Sequence, residues 1–100
     1  MQVLFESARS VGASLERRAE ARLRFLLRRL SWLVPQATLR LSDLEDVRGG
    51  GKHCRVELSV VGAGEVVASA TGRDWLQSID GALGHAARLA WRRYRHAHQA

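Results

Sequence analysis

From Leu15 onward the apolar residues Leu15, Ala19, Leu23, Leu26, Leu27 and Leu30 recur every three or four positions, and beyond Pro35 the apolar period drops to two. No other feature constrains the fold as strongly. A period near 3.6 buries one flank of an α-helix, whereas strict alternation buries one face of a strand. Proline lacks the backbone N–H that a helix interior uses and disfavours helical geometry in the residue before it, so Pro35 separates the two regimes. The stripe predicts a long amphipathic helix from about Ser14, closed before Pro35, with Gly12 and Ser14 both acceptable as caps.

Alternation then occurs three times. Ala37-Thr-Leu-Arg-Leu alternates first. Cys54, Val56, Leu58 and Val60 follow, interleaved with Arg55, Glu57 and Ser59. Glu65 to Thr71 makes the return strand, with Val66, Ala68 and Ala70 on one face. Gly62-Ala-Gly64 is a short hairpin connection, and Asp43 to Gly51 (DLEDVRGGG) reads as a long turn or open loop. Ahead of the first helix, QVLFES is short, apolar and β-prone, and it stops at the polar, small-residue stretch Ser7 to Gly12. A second helix runs from Asp74 to about His96, with Leu76, Ile79, Leu83, Ala87, Ala90 and Tyr94 close to one side.

The predicted order is therefore β-α-β-β-β-α. A helical crossover makes the first two strands parallel, and hairpins make the later ones antiparallel. Both helices fall on one face of a four-stranded mixed sheet, a two-layer α+β sandwich whose other face can stay in water. Residues 1–100 read as one domain, long enough to bury a core without metal or disulfide.

Composition narrows the function. With 46% apolar and 26% charged residues the chain reads as globular. A lone cysteine, Cys54, forms no internal disulfide and supplies no metal-ligand pattern, which points to a reducing cytoplasm. No apolar run approaches the roughly 18 residues of a membrane span, and MQVLFESARS lacks the layout of a signal peptide. Sixteen Lys plus Arg oppose ten Asp plus Glu, and fifteen of the sixteen are arginine. Such an excess favours an acidic partner, nucleic acid above all.

The helical wheel decides where that charge points. At about 100° per residue, Arg17, Arg24 and Arg28 form one row, and Arg18, Arg22 and Arg29 form a second beside it, with Ala21 and Phe25 between. Six guanidiniums are thus expected on one exposed flank, relieved only by Glu16 and Glu20. On the second helix Arg88, Arg92 and Arg95 follow one line, with Arg93 alongside. Like charges at i, i+4 cost about 0.2 to 0.5 kcal/mol per pair, and Arg18 with Arg22, Arg24 with Arg28, and Arg88 with Arg92 each incur it. These ten arginines are the candidate RNA-binding residues, and a structured RNA is the simplest counter-charge.

Other motifs carry less. Cys54 is in phase with Val56 and Leu58 and reads as a buried structural thiol. The histidines at 53, 85, 96 and 98 build no catalytic constellation with a serine and an acid, and Gly49-Gly-Gly-Lys52 is followed by a strand where a phosphate loop needs a helix. Trp75 and Trp91 are candidates for base stacking, with partial core as the plainer reading. Trp32 and Leu33 are expected to cover an edge of the sheet.

The segment Gly64-Glu-Val-Val-Ala-Ser-Ala-Thr-Gly-Arg-Asp-Trp-Leu-Gln-Ser-Ile-Asp-Gly-Ala-Leu resembles the signature of the ribosome hibernation promoting factors, also known as ribosome-associated inhibitor A or sigma-54 modulation proteins. In that family a strand of small and apolar residues turns at Gly-x-Asp, and the last helix opens with an aromatic pair, two small residues and Ile-Asp. The β-α-β-β-β-α order is the family's as well, so the likeness spans nearly the whole chain. Departures are Val11-Gly-Ala-Ser where a Ser or Thr followed by an acid is usual, His85 where lysine is common, and an aromatic pair reduced to Trp75-Leu76.

The resemblance implies a stress-related, cytoplasmic translation inhibitor of the short form, lacking the second domain and the acidic-polar tail of other branches. It would bind small-subunit ribosomal RNA in the channel for messenger RNA and for transfer RNA in the A and P sites. By position Arg22, Arg88, Arg92 and Arg93 match basic residues usual in the family. It implies no enzyme activity, no cofactor, no metal, no membrane, no small-molecule substrate and a monomeric free state. The competing expectation is a protein-interaction or regulatory module of the same fold that no longer binds ribosomes, marked by an exposed apolar patch around Trp32, Leu33 and Trp91.

Overall fold

The structure, a computed structural model, describes residues 1–6, 11–44 and 50–98. Its elements are β1 (Gln2–Phe5), α1 (Ala13–Leu26), β2 (Gln36–Asp43), β3 (Lys52–Val60), β4 (Gly64–Gly72) and α2 (Trp75–Ala97), with one 3-10 turn, Arg28–Leu30, after α1. The sheet order is β1-β2-β3-β4. β1 pairs parallel to β2, β2 antiparallel to β3 and β3 antiparallel to β4. This is the α+β sandwich with a four-stranded mixed sheet that the periodicity predicts.

Register puts the alternating apolar residues on a single face. Val3 lies opposite Ala37, Ala37 opposite Leu58 and Leu58 opposite Val66. The next inward row runs Phe5, Leu39, Val56, Ala68. Ala37, Leu39, Leu41, Cys54, Val56 and Leu58 are buried together with Ala19 and Leu23 of α1 and with Ile79, Ala82, Leu83, Ala86 and Ala90 of α2. The opposite face carries charge that is neutralised locally: Arg40 pairs with Glu6 at 2.8 Å and lies 3.7 Å from Glu57, and Arg55 meets Glu57 at 3.2 Å.

The first helix is shorter than its stripe. It ends at Leu26, and the chain tightens through the 3-10 turn because three apolar residues there, Leu27, Leu33 and Val34, must all reach the core. A straight helix would carry them around its circumference; the tighter turn redirects them. Arg28 donates to the Phe25 carbonyl at 2.7 Å, satisfying one of the acceptors that a helix end leaves free. Leu33, expected with Trp32 to cover a sheet edge, is therefore core and fully buried, while Trp32 is exposed and meets Tyr94 of α2. The Leu33 N–H donates to Leu30 and its carbonyl accepts from Val61, each at 2.9 Å.

The turn from β4 into α2 explains the Thr71-Gly-Arg-Asp74 run. Asp74 is extended and caps the helix, its carboxylate accepting from the Gln77 N–H at 2.8 Å. Gln77 returns the favour, its side-chain oxygen accepting from the Arg73 N–H at 2.7 Å, a variant of the capping box. Gly72 lies under that cap: a Cβ there would come within 2.9 Å of the Ser78 nitrogen and of the Gln77 side-chain oxygen. Replacing Asp74 by alanine is expected to cost about 1 kcal/mol, read as a fall of about 4 to 8 °C in melting temperature.

Cys54 is fully buried, as its phase predicts. Burial raises its thiol from 9.0 to about 12. The unfolded chain ionises this thiol above about pH 9 while the native chain keeps the proton, so the unfolded state binds fewer protons and stability falls with rising pH. The loss is up to about 1.4 kcal/mol per pH unit between 9 and 12. Denaturant melts of Cys54→Ala should lack this component of the alkaline decline. The expected Asp43–Gly51 loop and Ser7–Gly12 break fall largely on residues 45–49 and 7–10, outside the described residues.

Candidate nucleic-acid interface

Two inversions of chain direction, β2 to β3 and β3 to β4, leave β4 running with β1 and β2, so the helices that follow β1 and β4 run side by side in the same sense. Their seam is marked at two points. Near its start Arg22 of α1 clasps Asp80 of α2 with both ends of its guanidinium, Nε to Oδ1 at 2.9 Å and Nη2 to Oδ2 at 3.0 Å. Near its end Trp32 stands edge-on against Tyr94, ring centroids 5.1 Å apart. On the α2 wheel Asp80, Ala87, Trp91, Tyr94 and His98 fall within about 40° of one line, the side turned to α1.

This packing divides the arginines. Arg18 and Arg22 line the groove between the helices with Leu15, Trp75 and Leu76. Arg17 and Arg24 line a different depression with Phe5 of β1, and Arg24 bonds to Glu20 at 3.2 Å and to the Met1 carbonyl at 3.3 Å. The four arginines of α1 therefore occupy two flanks, not the single one expected, and Arg28 and Arg29 lie beyond α1 in the 3-10 turn. A wheel fixes angles about its own axis but not where neighbours sit, and β1 and α2 lie on opposite sides of α1. Arg28 stacks on the exposed Phe25 ring at 4.4 Å, with Arg22 5.6 Å from its centroid.

On α2, Arg88, Arg92 and Arg95 are exposed along the solvent side. Arg93 faces away toward the β3–β4 hairpin, where Nη1 donates to the Ala63 carbonyl at 3.5 Å. Among the described residues, the guanidiniums of Arg17, Arg18, Arg29, Arg88, Arg92 and Arg95 make no hydrogen bond or ion pair. The Arg22–Asp80 pair is about a third exposed on each side chain, so it contributes no more than about 1 kcal/mol to stability. Its larger effect is to hold Arg22 facing the groove. Sequence reasoning missed this clasp, because nothing in a wheel of one helix reveals an acid on another.

The aromatic residues also separate. Trp75 is half-buried, packs against the core and has the Lys52 ammonium 5.4 Å from its ring, which agrees with the partial-core reading. Trp32 and Trp91 are 58% and 42% exposed and share Tyr94 as a common neighbour. No group of three or more His, Cys, Asp or Glu among the described residues is arranged to hold a metal ion, and no helix is long and apolar enough to cross a membrane.

The sequence matches no protein-family model and no curated protein. Comparison of structures gives a different result. A ribosomal subunit interface protein from Coxiella burnetii superposes with a TM-score of 0.68 over 95% of this chain and 96% of its own, at 13% sequence identity. The architecture expected from the hibernation-factor resemblance is thus the architecture found, and the chain shares the fold of that ribosomal subunit interface protein over nearly its full length.

Proposed function

We propose that this chain is a non-enzymatic, cytoplasmic, ribosome-associated inhibitor of translation that binds small-subunit ribosomal RNA and occupies the channel of messenger RNA and of A- and P-site transfer RNA. The observation that carries the reading is the unequal treatment of charge on the two faces. Arginines on the open sheet face are neutralised by Glu6 and Glu57, whereas Arg18, Arg29, Arg88, Arg92 and Arg95 on the helical layer have no carboxylate among the described residues. Uncompensated arginines on neighbouring helices are unfavourable for the free protein and favourable beside phosphate, to which arginine forks in two-pronged fashion. The likeness to a ribosomal subunit interface protein supports the same partner.

In this mechanism no bond is made or broken. Arg18 and Arg22 on one side of the seam and Arg88, Arg92 and Arg95 on the other cradle RNA backbone, while the neutral sheet face stays turned from it. Occupation of the channel excludes the translating RNAs sterically, and 1–100 acts as one binding unit. The test is co-sedimentation with small subunits, large subunits and whole ribosomes across a salt series. Binding to small subunits and whole ribosomes, lost steeply as salt rises, is the expected result. Affinity that stays flat with salt overturns the arginine mechanism; no binding even at the lowest salt overturns the ribosomal reading.

One observation keeps the interaction-module reading in view: Trp32 and Trp91 remain exposed. Leu33, the third member of its expected patch, is withdrawn into the core.

A further inference from the structure

We infer that the aromatic cluster at the end of the helix seam, Trp32, Trp91 and Tyr94, is a stacking platform for an unpaired nucleobase of the bound RNA. The inference rests on the RNA-binding reading and deepens it from phosphate contact to base contact. Tyr94 is the hub: Trp32 meets it edge-on at 5.1 Å, Trp91 lies nearly parallel at 6.0 Å with 26° between planes, and the His98 ring lies 4.2 Å away. Large apolar rings placed only to close a core would be hidden. These two tryptophans instead leave about half of their surface in water, at 58% and 42%.

The rings are also held in place before any ligand arrives. The Trp32 indole N–H donates to the Arg29 carbonyl at 3.0 Å, which satisfies its one polar group while the residue stays 58% exposed. His98 is anchored through Nδ1 to the Tyr94 carbonyl at 3.0 Å and packs against the hairpin at Gly62, where a Cβ would come within 3.0 Å of its ring. A platform ordered in advance loses little side-chain freedom on binding.

Charge selects the occupant. Arg92 and Arg95 line an open depression of about 550 Å³ beside Tyr94 and His98. Exposed aromatics interleaved with unpaired guanidiniums fit a single strand of nucleic acid, whose bases offer π-faces and whose phosphates offer the counter-charge. A second copy of this chain would bring the same cations against them and is disfavoured by repulsion.

The experiment compares a short fluorescent oligoadenylate with an abasic ribose-phosphate oligomer of the same length and charge, binding to the intact chain and to Trp32→Leu and Trp91→Leu, with circular dichroism confirming the fold of each variant. Leucine keeps the apolar character and removes the ring. The base-bearing strand should bind about 5- to 150-fold more tightly than the abasic one and quench tryptophan emission, and either substitution should reduce that preference while leaving affinity for the abasic strand unchanged. Equal affinity for both strands by the unsubstituted chain, with emission unquenched, overturns the platform and leaves the arginine reading standing. Failure of both strands to bind at low salt overturns both. A concentration-dependent dimer in sedimentation, abolished by Trp32→Leu, overturns the platform in favour of self-association.

Discussion

Replacing Leu33 by alanine is expected to cost about 2 to 5 kcal/mol, whereas replacing its neighbour Trp32 by alanine should cost about 1 kcal/mol. The contrast follows from position alone. Leu33 has no exposed surface and sits where the chain leaves the 3-10 turn, with its carbonyl bonded to the start of the β3–β4 hairpin at Val61. Truncating it opens a cavity between helix end and hairpin that the tightly turned backbone cannot close. Trp32 is 58% exposed and loses mainly its edge contact with Tyr94. Urea titrations and thermal melts followed by circular dichroism give the answer directly. At about 4 to 8 °C per kcal/mol for a chain of this size, Leu33→Ala should melt at least about 8 °C lower. Equal losses at both positions would mean that the 3-10 segment does not dip into the core.

That pair also marks how far the sequence could be read. Periodicity located β2, β3, β4 and both helices, because a period of two or 3.6 is set by the backbone whatever the neighbours are, while β1 was read from its apolar, β-prone composition. The start of α2 was legible as the Gly-x-Asp turn of the resemblance, but the Asp74 cap and the close approach at Gly72 became visible only in the structure. The end of α1 was less legible: its stripe continues through Leu27 and Leu30, and only the need to bury Leu33 and Val34 turns the chain early.

The candidate interface was legible in kind but not in arrangement. Arginine rows on single helices could be drawn from about 100° per residue, and Arg88, Arg92 and Arg95 do share the open side of α2. The division of Arg17 and Arg24 from Arg18 and Arg22, the docking of Arg93 on the hairpin and the Arg22–Asp80 clasp all depend on which element lies beside which. The Trp32–Tyr94 contact joins residues far apart in sequence and had no local signal at all.

Reversing Arg88 and Arg92 together to glutamate should weaken ribosome binding on the order of 60-fold near 0.1 M salt, because each lost phosphate contact removes about 0.9 from the slope of log affinity against log salt. The slope itself should become shallower by about two. Both side chains are exposed, and neither has a partner among the described residues, so the variant should melt no lower than the parent. Two glutamates keep a like-charge i, i+4 pair of about the same cost, and the one at position 92 gains Arg95 as an opposite charge at i+3, so the exchange adds nothing unfavourable to α2.

The informative control is Arg17→Glu with Arg24→Glu. It makes the same change in net charge on the flank turned to β1, away from the seam. If the basic face works as a diffuse field, the two double variants should weaken binding equally. If phosphate is held at the seam, the Arg88 and Arg92 variant should lose far more and should alone change the salt slope by two, because only direct neutralisation releases counterions. A control variant that loses more than the first, and that itself lowers the salt slope by about two, would move the contact to the β1 side of α1, and the seam would cease to be the interface.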